Sequence, residues 1–313
     1  LPVEDPTDLY RYDSLDGFLE IFWLVQSVLG DKDDWARLAR ESALDGHAHG
    51  LVYREAFFTP ARHVAAGQDL AEIVAGLDEG CAAASAETGG EVDVNLVLDF
   101  DRDFGPGAAV ELAEQLAGLR RRGAPGIERV LGVGYDSTEI DQPPAGYAEA
   151  FRIVGAAGFR RTAHQGENSG PDAIATCIDV LGAERIDHGI SILDSPALTA
   201  RFAAERIPLT VCPNSNIRIA NAYARLEDHP FAAMREAGLV ATLNTDDPSL
   251  TDLDLGYEYA SVAAAFGYGW DDMVAIALDG VEACWLDAAG KAALVARVED
   301  ARRALRPEEV PEP

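Results

Sequence analysis

Three segments place ionisable side chains where an apolar run ends: Arg161-Thr-Ala-His-Gln-Gly-Glu167, Arg185-Ile-Asp-His-Gly189 and Leu243-Asn-Thr-Asp-Asp-Pro248. His164 could offer a ring nitrogen to a metal, and Glu167, reached through a turn at Gly166, could carry a proton. His188 lies between Asp187 and Gly189 in the same kind of setting. The adjacent carboxylates of Asp246 and Asp247 repel each other unless a cation or a proton relieves them. Taken singly, each segment also fits a solvated loop or a satisfied structural histidine. Delivered together to one rim, two histidines, a glutamate and paired aspartates suit metal-assisted hydrolysis.

Such residues need a scaffold that brings successive strand ends together. Short β-rich runs alternate with amphipathic helical ones along the chain. The strands are expected at Leu51–Phe57, Val94–Phe100, Val130–Tyr135, Arg160–His164, Arg185–Asp187, Leu209–Cys212 and Val240–Asn244. Helical spacing covers Leu70–Ala84, Gly107–Arg122, Ala148–Ala157, Asp172–Leu181 and Leu198–Glu205. This alternation predicts an α/β fold with a parallel sheet: a (β/α)8 TIM-type barrel whose chemistry sits at the C-terminal strand ends. A doubly wound open sheet is the alternative, but no Gly-rich phosphate loop follows an early strand. Seven strands are recognisable where a closed barrel uses eight. Ser14–Leu29 and Asp33–Ala43, ahead of the first of them, read as helices, so the first barrel strand is expected upstream of Leu1. No linker-like segment divides residues 1–313, apart from a Pro/Glu-rich tail after Arg306, and one barrel domain is expected.

Composition narrows the partners. A net charge of −29 over 313 residues argues against nucleic acid, whose phosphates are gripped by Lys and Arg. Cys81, Cys177, Cys212 and Cys284 are scattered with no CxxC pair, as expected of a reduced, cytoplasmic protein. No apolar run approaches the roughly 20 residues that span a bilayer. The N-terminal Leu1-Pro-Val-Glu-Asp-Pro resembles neither a signal peptide nor a Met start.

Thr162-Ala-His-Gln-Gly-Glu167, Arg185-Ile-Asp-His-Gly189, Val211-Cys-Pro-Asn-Ser-Asn216 and Asn244-Thr-Asp-Asp-Pro248 resemble, in order and spacing, the motifs of the adenosine/adenine deaminase family. The resemblance spans nearly the whole chain, and four motifs in sequence are far more specific than any one. It implies a metal-dependent β/α barrel that hydrolytically removes the 6-amino group of a purine, a small-molecule substrate. It further implies that His164 and Asp246 are ligands of one Zn2+. Glu167 would protonate the purine ring nitrogen N1 as water adds at C6. His188 would orient or deprotonate the attacking water. Asp247, near N7, and the backbone at Gly134 would contact the purine. Glu167 must then be protonated with substrate bound, so burial should raise its pKa.

The family's remaining two zinc ligands are a His-x-His pair on the first barrel strand. His47-Ala-His49 is the chain's single match, but it closes a helical run just before strand Leu51–Phe57. There it would lie at the floor of the barrel, so we read it as structural. His63 and His229 read as loop or helix-start residues without partners. Two expectations follow: a sequence that starts after the first strand or, alternatively, a homologue that has lost normal metal binding.

The substrate signals conflict. Gly134-Tyr-Asp-Ser-Thr-Glu-Ile-Asp-Gln-Pro-Pro144 lacks the glycine usual in adenosine deaminases, and with Glu55-Ala-Phe-Phe-Thr-Pro60 it sits closer to adenine deaminases. Asp246–Tyr259 looks more like the nucleoside branch. Adenosine leads narrowly, with adenine next. Readings from other classes are an inactive purine-binding homologue and an amidohydrolase acting on another amine.

Overall fold

The computed structural model of the chain describes residues 9–305; the Pro/Glu-rich tail after Arg306 lies outside them. Two helices come first, α1 (Leu15–Gln26) and α2 (Lys32–Ala48). Their starts are written locally: the Ser14 hydroxyl accepts from Gly17 N, and the Asp31 carboxylate accepts from Asp33 N and Asp34 N. The strands are β1 (Tyr53–Phe58), β2 (Asp93–Asp101), β3 (Val130–Asp136), β4 (Arg160–Arg161), β5 (His164–Gln165), β6 (Ile186–His188), β7 (Leu209–Val211) and β8 (Ala241–Leu243). All pairings are parallel, in two ladders ordered β1-β2-β3-β4 and β5-β6-β7-β8.

β4 and β5 are two halves of the expected strand Arg160–His164, interrupted at Thr162-Ala163. The interruption is partial, because Thr162 N still donates to Val133 O at 2.9 Å and Asp187 N to Ala163 O at 2.9 Å. Seven strand positions therefore follow one another, matching the sequence count. The ladders curl into a barrel wall, as contacts across the lumen demonstrate. Glu55 on β1 forms a buried ion pair with Arg185 beside β6. The ring of Phe57 on β1 meets His164 on β5 edge-on, with centroids 4.9 Å apart. Among the described residues no ladder joins β1 to β8, and a largely apolar cleft of about 1210 Å³ runs along the side of the molecule there.

The helices that follow are α3 (Ala61–Ala65), α4 (Leu70–Glu87), α5 (Gly105–Arg121), α6 (Ala148–Ala156), α7 (Pro171–Thr176), α8 (Pro196–Glu205), α9 (Pro213–Arg218), α10 (Phe231–Glu236), α11 (Pro248–Thr251), α12 (Leu255–Phe266), α13 (Trp270–Ala283) and α14 (Ala288–Leu305). The predicted run Asp172–Leu181 divides into α7 and a π-helical turn, Cys177–Leu181. α2 packs so closely on α4 that a Cβ at Gly80 would lie 2.1 Å from Ala36 O.

The lumen is layered. Gly132 and Gly134, two apart on β3, face inward together. A Cβ on Gly132 would lie 2.2 Å from Cζ3 of Trp285, whose indole plugs the floor under the Arg185 guanidinium at 3.7 Å. A Cβ on Gly134 would lie 2.3 Å from Asp99 Oδ1 in the layer above. Small residues on β3 thus leave room for a floor below and a polar site above.

Candidate active site

The C-terminal strand ends gather every side chain that the sequence nominated. His164 stands on β5, and Glu167 in the turn after it, where Gly166 takes φ +84. His188 ends β6 with φ +63, and Asp246 follows β8 with φ +58. Left-handed backbone is uncommon for residues with a Cβ and concentrates at functional sites. Here it turns both side chains off their strand direction towards each other: His188 Nε2 lies 3.9 Å from Asp246 Oδ2. His188 Nδ1 lies 3.7 Å from Glu167 Oε1, and the rings of His164 and His188 are 5.5 Å apart. Asp247 lines the same cavity.

Burial and crowding set the electrostatics. Burial raises the Glu167 pKa above the usual glutamate range, against the opposing pull of His188. Burial also carries Asp247 well above the aspartate range, and Asp246 beside it adds to the rise. Burial alone would lower His188, but the carboxylates of Glu167 and Asp246 bring it above the ordinary histidine value. His164 goes the other way, lowered by burial.

Several residues that the sequence reading did not single out complete the site. Asp99, at the end of the apolar β2 run, has Oδ2 3.2 Å from His164 Nδ1, yet neither its oxygens nor that nitrogen has a hydrogen-bond partner among the described residues. Burial drives its pKa well up, and Asp136 and Asp187 push it further. Gly134 beneath it makes room for this carboxylate, a reason for glycine that the sequence did not reveal. Asp187 is pinned by the hydroxyls of Thr162 at 2.7 Å and Thr210 at 2.5 Å. Ser215 donates to Asp246 Oδ2 at 2.6 Å. The ligand atoms of His188, Cys212 and Asp246 all lie within 4.8 Å of one another.

Glu139 holds the turn that carries Glu167. Its carboxylate accepts from Gly166 N at 2.9 Å, Glu167 N at 3.0 Å and Gln165 Nε2 at 2.9 Å, and also from the Ser169 hydroxyl. Arg102, fully buried, donates to the carbonyls of Ser137 at 2.7 Å and of His164.

His47 and His49 are engaged elsewhere, as their place in the chain suggested. His47 Nε2 lies 3.5 Å from Glu91, and His49 Nδ1 lies 3.2 Å from Asp254. His63 and His229 do sit at helix starts, in the first turn of α3 and just ahead of α10, but the expectation that they lack partners needs correction. His63 is buried in α3, edge-on to Trp35 at 4.8 Å. His229 is buried too: it receives Phe231 N–H at Nδ1, 3.1 Å away, and its Nε2 lies 3.1 Å from Asn216 Oδ1. Trp35 and Asn216 are brought to these rings by folding, which local sequence does not announce.

A parallel β/α wall with buried carboxylates and two histidines converging at its C-terminal rim defines a hydrolase of the metal-dependent barrel class. The adenosine deaminase family model matches residues 4–301. An adenine deaminase of Streptomyces coelicolor is 35% identical over 92% of this chain and 82% of its own length. One from Rhodospirillum rubrum is 33% identical, over 95% of this chain and 86% of its own. Among solved structures, an adenine deaminase from Arthrobacter aurescens superposes with a TM-score of 0.90 at 29% identity, over 97% of this chain and 90% of that one. An amidohydrolase from Burkholderia ambifaria, with bound Zn, superposes with a TM-score of 0.86 at 29% identity, over 95% and 82%. This chain belongs to the adenosine deaminase family: it is a metal-dependent aminohydrolase of 6-aminopurines. Among the described residues no helix is long and apolar enough to cross a membrane.

Proposed function

We propose that this chain hydrolyses adenine to hypoxanthine and ammonia, with zinc as its metal. The observation that carries the choice of base is the run of adenine deaminase relatives at up to 35% identity across nine-tenths of the chain. Adenosine, which led narrowly on sequence, gives way to it.

The donors fit a metal. Asp99 and the His164 Nδ1 face each other without hydrogen-bond partners, and carboxylates this crowded are relieved by a cation. Nitrogen, carboxylate and thiol donors all suit zinc. We assign His164 and Asp246 as ligands, and the zinc bound in the Burkholderia relative supports the metal's identity. Zinc bound there lowers the pKa of water toward neutrality.

The protein groups do the rest. Water adds at C6 of the purine, the ring nitrogen N1 takes a proton from Glu167, and the amino group leaves as ammonia. Glu167 can deliver that proton because burial keeps its carboxyl protonated to higher pH than an exposed glutamate. His188, set between Glu167 and Asp246, orients the attacking water. Asp247, whose pKa burial also raises, faces the purine near N7, and Gly134 lets the site approach the ring.

Comparing kcat/KM for adenine and adenosine tests the reading. Adenine should be preferred by about 100-fold or more, as when a site closed to an extra group rejects it. An equal or greater value for adenosine would reverse the assignment.

A further inference from the structure

His229 lies outside the reacting groups, yet a chain of hydrogen bonds ties it to them. The chain has a direction that needs no assumption about any side chain's proton. Phe231 N–H can only donate, and it donates to His229 Nδ1 at 3.1 Å. A neutral imidazole that accepts at Nδ1 carries its proton on Nε2. Burial, aided by His188, lowers the His229 pKa to about 3, in keeping with that neutral form. Its Nε2–H therefore donates to Asn216, 3.1 Å away, and the atom facing it must be the amide oxygen. The Asn216 NH2 then points the other way. One of its hydrogens reaches Glu167 Oε1 at 2.8 Å, and Nδ2 lies 3.1 Å from His188 Nδ1.

We infer that His229 is a positioning residue: through Asn216 it fixes the His188 tautomer and selects which Glu167 oxygen carries the acid proton. With Nδ1 accepting from Asn216, neutral His188 holds its one proton on Nε2, the nitrogen that faces Asp246. Glu167 Oε1 is occupied as an acceptor, so the transferable proton sits on Oε2. His229 is buried well beyond His188 in the chain and looks idle in sequence, yet one amide bridges it to both proton-handling groups. The structural part of this inference stands on hydrogen-bond geometry alone; its catalytic consequence rests on the proposed roles of Glu167 and His188.

The test is 15N NMR of the zinc-loaded protein labelled at its six histidines, with signals assigned by His188→Asn and His229→Leu. At a pH above the raised His188 pKa, where the ring is neutral, His188 and His229 should each show a protonated Nε2 and an unprotonated Nδ1. In His229→Leu the single His188 tautomer should be lost, and kcat for adenine should fall about 10- to 100-fold with little change in KM. His229→Gln, whose amide can still donate to Asn216, should recover most of the loss. A wild-type His188 protonated on Nδ1, or a tautomer unaltered by His229→Leu, overturns the inference; the wild-type spectrum decides even where a variant folds poorly. Recovery by His229→Leu as complete as by His229→Gln overturns it too. If the spectra are as expected but Glu167→Gln turns adenine over at the wild-type rate, the proposed function fails while the positioning network stands.

Discussion

Burial raises the pKa of Glu167, and the proton-donor task proposed for it gives that shift a kinetic sign. The acid form is active, so kcat/KM for adenine should hold at low pH and fall as pH rises through the raised pKa. The falling limb should move to lower pH, or vanish, in any variant that exposes Glu167; a rate that climbs across that range would contradict the assignment. Glu139 belongs to the same scale. Its carboxylate accepts from the backbone N–H groups of both Gly166 and Glu167, and a Gln there would turn an NH2 toward one of them. Glu139→Gln should lower kcat about 10- to 100-fold with folding intact, as expected when a reacting group is displaced by a fraction of an ångström. Steady-state kinetics beside a circular dichroism spectrum checks this.

At the scale of elements, two consequences follow from what β3 and α12 face. Gly132 leaves room for Trp285, which stacks under Arg185 and closes the floor. A methyl at Gly132 cannot fit without moving the indole, so Gly132→Ala should destabilise the fold by about 1–3 kcal/mol. Urea denaturation with an unchanged slope would read this directly. Glu258 on α12 is fully buried, accepts from Asn214 N at 3.3 Å, and burial pushes its pKa up to about 7. A folded-state pKa above the unfolded one means that Glu258 stabilises in its protonated form. That contribution is complete below the ordinary glutamate range and is lost as pH rises through about 7. Glu258→Gln, neutral throughout, should therefore gain melting temperature relative to wild type between about pH 5 and about pH 8. An identical pH dependence in both proteins would show that Glu258 is not the group responsible.

The whole molecule explains what the sequence could and could not disclose. Rim residues were legible because each ends an apolar run, and a parallel sheet sends all such ends one way. The seven strand positions were legible for the same reason, though the break at Thr162-Ala163 was not, because it depends on pairing with Val133 on β3 and Asp187 on β6. Asp99, Glu139 and His229 were missed for one physical cause. Each acts through a contact made only when distant segments meet: Asp99 with His164, Glu139 with the turn at Gly166, and His229 with Asn216. Gly134 was nominated for its backbone, and its lack of a Cβ turns out to make room for Asp99.

The claim on which the rest depends is that Glu167, at this rim, drives deamination of a 6-aminopurine. Ammonia release from adenine should be measured for the wild-type protein and Glu167→Gln, each with its zinc content determined by elemental mass spectrometry. The variant should lose about 100- to 10,000-fold in turnover while holding the same metal as wild type. Equal turnover in the two proteins would contradict the account.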